Sequence, residues 1–225
     1  MHTRVDILFA DPRPDACLLT VVKEVQQVIA DLEAMADCHQ PGTPLSLHNA
    51  DVSSPLPDAL QQILERCRYY REQTFGLFDP WYEGRCNLSG FLKGYALDSI
   101  RPLLEHHAIG RALVNMGNSS VMTIGHRLRD DLPEGCCLTT SGNDSPSRRH
   151  IVHPHTGQTM SGMRTVSVLT PLVSTTPDGL SLGGGALGEA LSTALFLADE
   201  DQRKRLLTDV FPEARLVARR NKQCR

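Results

Sequence analysis

The stretch NLSGFLKGYALDSIRPLL, residues 87–104, joins a polar turn to the start of an amphipathic helix. Ser89 and Gly90 lie in the turn, Lys93 falls near the start of the helix, and Asp98 follows further along. Free backbone N–H groups at a helix N-terminus attract anions, and a lysine there adds a positive charge. The stretch is therefore a candidate site for a diphosphate, although its spacing is neither that of a Walker loop nor that of GxGxxG.

Apolar residues at three- and four-residue spacing predict helices on both sides of this stretch as well as within it. The pattern covers residues 15–37, 57–74, 92–108 and 186–200. Pro102 falls inside the third segment, and we expect it to kink that helix or to start a new one, because proline cannot donate the helical hydrogen bond.

The rest of the chain contains strand-like runs and loops. Short apolar runs bounded by turn residues predict five strands, at residues 4–10, 111–117, 119–125, 164–173 and 214–220. Residues 39–57 are interpreted as a break between helices, residues 174–185 as a loop, and the glycines 183–185 as a flexible connector. Helices and strands follow one another without strict β-α-β alternation, which favours an α+β fold in one domain over residues 1–225.

Composition narrows the class of protein. The formal net charge of −3 argues against a general nucleic-acid binder, because neutralising phosphates requires an excess of Lys and Arg. The seven cysteines form no CxxC pair, so no zinc ribbon or thioredoxin-like motif is predicted. No segment approaches the roughly 18 apolar residues that span a bilayer, and the first residues do not resemble a secretory leader. We therefore expect a cytoplasmic protein with reduced thiols and no membrane segment.

Glu189 and Thr193 lie four positions apart in the last predicted long helix, so their side chains share one helical face. Both offer oxygen ligands, which Mg²⁺ prefers, and Mg²⁺ usually completes its octahedron with waters and substrate phosphates. The alternative is that Glu189 is an exposed first-turn residue favoured by the helix dipole, and that Thr193 is a packed helix residue.

The stretch RRHIVHPHTG, residues 148–157, gathers three histidines, His150, His153 and His155. One alternative is a zinc site formed by all three imidazoles. A second is that one histidine transfers a proton near pH 7 while the adjacent arginines stabilise charge on a phosphate. A third is that His153 and His155 are surface residues without a chemical role.

Taken together and in order, these segments resemble the ApbE family, flavin transferases that move FMN from FAD onto a threonine or serine of a target protein. The opening MHT resembles Met-Gly-Thr. Six further segments resemble family motifs in collinear order: TFGLFDP at 74–80, NLSGFLKGYALDSIRPLL at 87–104, ALVNMGNS at 112–119, TTSG at 139–142, HIVHPHTG at 150–157 and GEALSTALF at 188–196. The resemblance spans nearly the whole chain.

The resemblance implies a fold of T-fold-related, mixed antiparallel sheets packed with helices. It implies Mg²⁺ bound by Glu189, Thr193 and a backbone carbonyl near Gly90, with the ion bridging the pyrophosphate of FAD. His150 would lie near the reacting phosphate. The remaining implied residues shape the flavin-nucleotide pocket: Asp79, Lys93, Asp98, Ser141, Thr156 and Gly157.

In the reaction implied by this resemblance, a hydroxyl of a protein acceptor attacks the FMN-side phosphorus in line and releases AMP. Two other functions stay open. The chain could bind FAD or another nucleotide without transferring any part of it. It could also be a pyrophosphatase that splits FAD into FMN and AMP, with water replacing the acceptor hydroxyl.

Overall fold

A computed structural model describes residues 3–125, 132–143, 151–161, 164–176 and 179–217. In these residues six strands form one sheet and four more form two short hairpins. The strands are β1 Val5–Phe9, β2 Trp81–Tyr82, β3 Arg85–Cys86, β4 Ala112–Met116, β5 Ser120–Ile124, β6 Cys136–Asn143, β7 Arg164–Pro171, β8 Val173–Thr175, β9 Ser181–Gly183 and β10 Arg215–Val217.

The large sheet is antiparallel throughout, with strand order β1-β4-β5-β6-β7-β10. In β4 alternate residues are buried, namely Ala112, Val114 and Met116, as expected for a strand with one face on the core. All five residues of β5, the next strand, are buried. The α+β fold with antiparallel strands predicted from the sequence is confirmed.

The helices pack against this sheet in successive layers. They are α1 Asp15–Ala36, α2 Pro44–Ala50, α3 Asp58–Gln73, α4 Leu92–His106, α5 Gly184–Leu197 and α6 Glu200–Arg205, which continues into a π-helical turn at Leu206–Val210. Helix α5 contacts β6 and β7 on one side and α4 on the other, and α4 in turn contacts α1. None of the helices in the described ranges has both the length and the apolarity of a membrane span.

The start of α5 is fixed by close backbone contacts, so the interpretation of glycines 183–185 as a flexible connector is wrong. A Cβ on Gly185 would lie 2.2 Å from the carbonyl oxygen of Gly94 in α4, and a Cβ on Gly94 would lie 2.1 Å from that of Gly185. A Cβ on Gly184 would lie 2.0 Å from the Pro171 carbonyl oxygen. Glycine is therefore needed here because helix and sheet backbones touch, and α5 is buried along almost its whole length.

Two further segments differ from the sequence interpretation. Residues 39–57 contain the short helix α2, which Thr43 caps by accepting a hydrogen bond from the Ser46 N–H at 3.2 Å. The predicted loop at 174–185 contains most of the β8–β9 hairpin and the first residues of α5. Segments this short carry too few residues for hydrophobic periodicity to distinguish them from loops.

Helix α4 continues through Pro102 to His106, so Pro102 does not start a new segment and a kink stays the remaining prediction.

We expect Gly185→Ala to lower the free energy of unfolding by about 1–3 kcal/mol, because the added methyl group would meet the backbone of α4 and force the two helices apart. Urea denaturation of the purified variant measures this change. The matched control is Gly110→Ala, where the nearest atom to the added Cβ is the Asp11 Oδ2 at 3.6 Å, an ordinary contact. Equal stability of the two variants would contradict a tight α4–α5 contact.

Candidate active site

The close approach of α4 and α5 brings four of the predicted site residues together. Glu189 and Thr193 lie one turn apart on α5, Lys93 lies in the first turn of α4, and Ser141 lies in β6. The Lys93 Nζ is 4.0 Å from the Glu189 Oε1. The Ser141 Oγ is 3.0 Å from the Thr193 Oγ1. The candidate site thus lies between two helices and the middle of the large sheet.

Glu189 is buried, with 3% of its surface exposed, so it is not the exposed first-turn residue that the sequence allowed as an alternative. Its Oε1 accepts a hydrogen bond from the Ser120 Oγ at 2.5 Å. Burial raises the pKa of Glu189 to about 7, while the Lys93 charge, the Ser120 hydroxyl and the Gly94 N–H partly oppose that rise. An ionised carboxylate in this position is costly unless positive charge or donors surround it.

Two serines that the sequence analysis did not single out complete this environment. The Lys93 Nζ donates a hydrogen bond to the Ser119 Oγ. The Ser119 Oγ lies 3.4 Å from the Ser120 Oγ, which in turn donates to Glu189. Ser120 is fully buried in the strand β5, whose other residues are mostly apolar. A hydroxyl at an inward position of an apolar strand needs a buried partner, and that was the available sequence signal.

A second group of hydroxyls lies where β6 packs against α5. The Ser141 Oγ is 2.8 Å from the Ser192 Oγ, in addition to its contact with Thr193. Thr139 in the same strand faces α5 at Gly188, and its Oγ1 has no hydrogen-bond partner among the described residues. The wall of the site formed by β6 is therefore lined with hydroxyl groups, which can both donate and accept hydrogen bonds.

Asp98 has a different position from Lys93, although both belong to α4. Its Oδ1 accepts from the Gly185 N–H at 2.8 Å, and its Oδ2 accepts from the Ala186 N–H at 2.8 Å. Burial raises the pKa of Asp98 to about 7, against the two backbone hydrogen bonds, which lower it. The carboxylate satisfies two of the free N–H groups at the N-terminus of α5. A role of Asp98 in the flavin-nucleotide pocket stays a prediction.

Gly90, the predicted source of a backbone ligand, lies in the turn that precedes α4. The residue is exposed, and no described atom lies within 4 Å of the position its Cβ would take. Its carbonyl group therefore belongs to a solvent-accessible turn at the same end of α4 as Lys93.

Asp79 lies beside a cleft outside this cluster. Its carboxylate accepts from the Arg71 Nε at 2.8 Å and from the Trp81 N–H at 2.9 Å. The cleft has a volume of about 510 Å³, and Arg68 and Gly76 also line it. The Arg68 guanidinium lies 5.7 Å from the centre of the Trp81 ring. Glu72 also lines the cleft, so two arginines, one carboxylate and an indole surround it, which suits a ligand with an aromatic ring and polar groups.

The histidine stretch is described only from residue 151 onwards, so His150 lies outside the described residues. Its second half forms a tight turn in which the Gly157 N–H donates to the His153 carbonyl oxygen at 2.8 Å. Gly157 has φ +67°, a conformation that favours glycine. The Thr156 Oγ1 accepts from the Gln158 N–H at 3.3 Å. Thr156 and Gly157 are both exposed at the tip of this turn.

His155 connects the turn to the cleft. A Cβ on Gly76 would lie 2.8 Å from the His155 Nε2, so the imidazole covers Gly76 at the cleft edge. The His153 and His155 rings are 5.5 Å apart and meet edge to face. A three-histidine zinc site also requires His150 and stays untested. Within the described residues no group of three or more His, Cys, Asp or Glu side chains is arranged to hold a metal ion.

The oxygen atoms of Glu189 and Thr193 are nevertheless of the chemical type that a hard divalent cation binds. Glu189 offers a buried carboxylate whose charge is only partly balanced, and Thr193 offers a partly exposed hydroxyl one turn away. A small number of protein oxygens is characteristic of Mg²⁺ sites in which water and substrate phosphates complete the shell. Glu189, Thr193 and the Gly90 carbonyl therefore remain the predicted ligands.

Comparison with known proteins gives a consistent assignment of fold and family. The model of the ApbE family matches residues 83–216. The flavinyl transferase ApbE of Pseudomonas stutzeri, in its apo form, has a TM-score of 0.73 at 14% identity, over 98% of this chain and 92% of that one. The flavin transferase ApbE of Vibrio cholerae has a TM-score of 0.72 at 15% identity, over 93% and 88%. No curated protein gives a sequence match.

A third similar structure, the ApbE protein of Thermotoga maritima, has a TM-score of 0.68 at 18% identity, over 95% of this chain and 89% of that one. At these identities the structural likeness establishes the fold. The match to the family model covers more than half of the chain and establishes the family.

We expect Asp98→Ala to lower the free energy of unfolding by about 2–3 kcal/mol, because two N–H groups of α5 lose their acceptor. Asp98→Asn keeps one acceptor oxygen and should cost about half as much. Chemical denaturation of both variants measures these values. The prediction fails if Asn and Ala are equally stable.

We expect Glu189→Gln to flatten the pH dependence of stability in the presence of a chelator. The pKa of Glu189 rises from its ordinary value of 4.5 to about 7 on folding, so between these pH values the folded state binds more protons than the unfolded state. The stability that protonation of folded Glu189 adds is therefore complete below about pH 4 and is lost as pH rises through 7. In urea denaturation from pH 5 to 8, wild type should lose stability as pH rises, and the variant should lose less by on the order of 2 kcal/mol. The loss that remains in the variant comes from Asp98, whose pKa is also raised to about 7.

The matched control for this measurement is Glu65→Gln, which changes an exposed carboxyl on α3. It should reproduce the wild-type slope. If the slope of Glu189→Gln also equals that of wild type, then Glu189 is not the buried carboxyl that the structure describes.

Proposed function

This chain belongs to the ApbE family, and we propose that it transfers FMN from FAD to a threonine or serine hydroxyl of a target protein in a Mg²⁺-dependent reaction. The acceptor oxygen forms a bond to the FMN-side phosphorus, the phosphoanhydride bond of FAD breaks, and AMP leaves. The acceptor hydroxyl gives up its proton in the same reaction. The products are a flavin-labelled protein and AMP.

The observation that carries this proposal is the cluster of Lys93, Glu189, Thr193 and Ser141 between α4, α5 and β6. An ammonium and a buried carboxylate at 4.0 Å, with hydroxyls alongside, can organise a pyrophosphate through charge and hydrogen bonds. Phosphoryl transfer depends mainly on such positioning and charge stabilisation, because the protein takes little part in the covalent chemistry.

The proposed division of roles follows the chemistry of each side chain. Glu189, Thr193 and the Gly90 carbonyl would hold Mg²⁺, which when bound neutralises charge on the pyrophosphate and makes the phosphoanhydride easier to break. Lys93 would contact a phosphate oxygen, since its ammonium is partly exposed at the start of a helix. We propose His150 as the histidine near the reacting phosphate, where it could accept the proton of the acceptor hydroxyl.

The flavin-nucleotide pocket is proposed to extend from Ser141 past the histidine turn to Asp79. Thr156 and Gly157 lie at the tip of that turn, and His155 covers the edge of the 510 Å³ cleft next to Asp79. A dinucleotide needs an extended pocket with a charged centre and aromatic or apolar ends. The geometry of the turn and of the cleft supports such a pocket.

One observation favours a second candidate, a protein that binds FAD without transferring FMN. Glu189 already accepts a hydrogen bond from Ser120 and lies beside Lys93, so the carboxylate has internal partners. If these partners hold it permanently, no metal ion would be recruited and the phosphoanhydride would stay intact. The two candidates differ in one product, AMP.

The test is incubation of the protein with FAD and Mg²⁺, with and without an extract of the source cells as a supply of acceptor. AMP is quantified and covalently bound flavin is detected by in-gel fluorescence. Transferase activity predicts AMP together with a fluorescent acceptor. Free FMN and AMP without acceptor would indicate a pyrophosphatase, and tight FAD binding without AMP would indicate a binding protein.

We expect Glu189→Ala and His150→Ala each to abolish labelling, with a loss of about a hundredfold or more, because each removes a group proposed to act at the reacting phosphate. The matched controls are Glu65→Ala and His39→Ala, which change exposed residues away from the cluster. Undiminished labelling by both Glu189→Ala and His150→Ala would refute these roles.

A further inference from the structure

The positively charged side chain of Lys93 lies beside Glu189. The Lys93 Nζ lies 4.0 Å from the Glu189 Oε1, and the Lys93 and Glu189 side chains are 22% and 4% exposed. The ammonium is too far from the carboxylate for a direct hydrogen bond. Its closest partner is the Ser119 Oγ, so Lys93 approaches Glu189 without being locked to it.

Two serines lie between the charges: Ser119, in the turn before β5, and Ser120, the first residue of β5. Lys93 donates to Ser119, the Ser119 and Ser120 hydroxyls are 3.4 Å apart, and Ser120 donates to Glu189 at 2.5 Å. Each hydroxyl can donate one hydrogen bond while it accepts another, so a chain of hydroxyls can link the ammonium to the carboxylate. The result is a buried carboxylate balanced by a nearby cation from the same chain.

The packing around Glu189 keeps this arrangement in place. A Cβ on Gly94 would lie only 2.6 Å from the Glu189 Cγ, so α4 closes one side of the carboxylate stem. Ser120 closes the side facing the sheet. A divalent cation that binds the Glu189 carboxylate must therefore share it with the Lys93 ammonium, and the two like charges repel each other at short range.

We propose that Lys93 competes with a divalent cation for Glu189, so that the lysine is a resident counter-charge that weakens metal binding in the absence of nucleotide. This inference rests on the metal ligands of the proposed function. Repulsion at this separation, only partly screened because the site is buried, lowers the affinity of Glu189 for a cation by about tenfold or more. A ligand whose negative charge pairs with the Lys93 ammonium would offset this repulsion.

The experiment measures Mn²⁺ binding by electron paramagnetic resonance and by calorimetry, without FAD and without acceptor. Lys93→Gln removes the charge and keeps a donor for Ser119, and it should bind Mn²⁺ about tenfold or more tightly than wild type. Lys93→Arg is the matched variant because it keeps the charge, and its affinity should stay close to that of wild type. Glu189→Gln should abolish the added binding when it is combined with Lys93→Gln.

A second variant keeps the test decisive if Lys93→Gln does not fold. Lys93→Met also removes the charge while keeping an unbranched side chain, and it should likewise bind Mn²⁺ about tenfold or more tightly than wild type. Equal or weaker Mn²⁺ binding by the folded Lys93→Gln protein, or equal gains in the Gln and Arg variants, overturns the proposal.

These readouts are independent of FMN transfer. If Lys93→Gln gains metal affinity while wild-type protein gives no AMP and no labelled acceptor with FAD, the competition stands and the proposed transferase function fails. If labelling occurs but the charge of Lys93 leaves Mn²⁺ affinity unchanged, the transferase function stands and the competition is wrong.

Discussion

The arrangement of the site depends on the contact between the backbones of α4 and α5 at Gly94 and Gly185. A Cβ at either position would lie about 2 Å from the carbonyl oxygen of the other. Since no side chain separates the helices, residues next to this contact are forced together, and Lys93 comes to lie beside Glu189. Asp98, one turn further along α4, binds the first N–H groups of α5 and fixes its position along the contact.

Two carboxylates near this contact, the partly buried Asp98 and the buried Glu189, illustrate how a protein can distinguish a structural acid from one available to a ligand. Burial raises the pKa of both Asp98 and Glu189 to about 7. Asp98 accepts from backbone N–H groups, which cannot move away without unwinding α5. Glu189 accepts from a serine hydroxyl and lies near a lysine, and both side chains can rotate. Only the second carboxylate can exchange its partners at low cost.

The sequence predicted those parts of the structure that depend on local pattern. The long helices and the main strands follow from periodicities of 3.6 and 2, and collinear motifs brought Lys93, Ser141, Glu189 and Thr193 into one expected group. Ser119 and Ser120 were not predicted, because their partners come from distant parts of the chain. The contacts of glycines 183–185 were misinterpreted for the same reason: a glycine required by backbone contact and one that gives flexibility look alike in sequence.

The histidine turn links the two parts of the proposed pocket, which lie in different layers of the fold. The Asn143 Nδ2 donates to the Met160 carbonyl oxygen at 2.9 Å, so the base of the turn is bound to β6 two residues beyond Ser141. At its other end His155 covers Gly76, three residues before Asp79. The turn thus runs from the strand that carries Ser141 to the edge of the cleft beside Asp79. A pocket that follows this turn, as proposed above, would suit a long ligand better than a compact one.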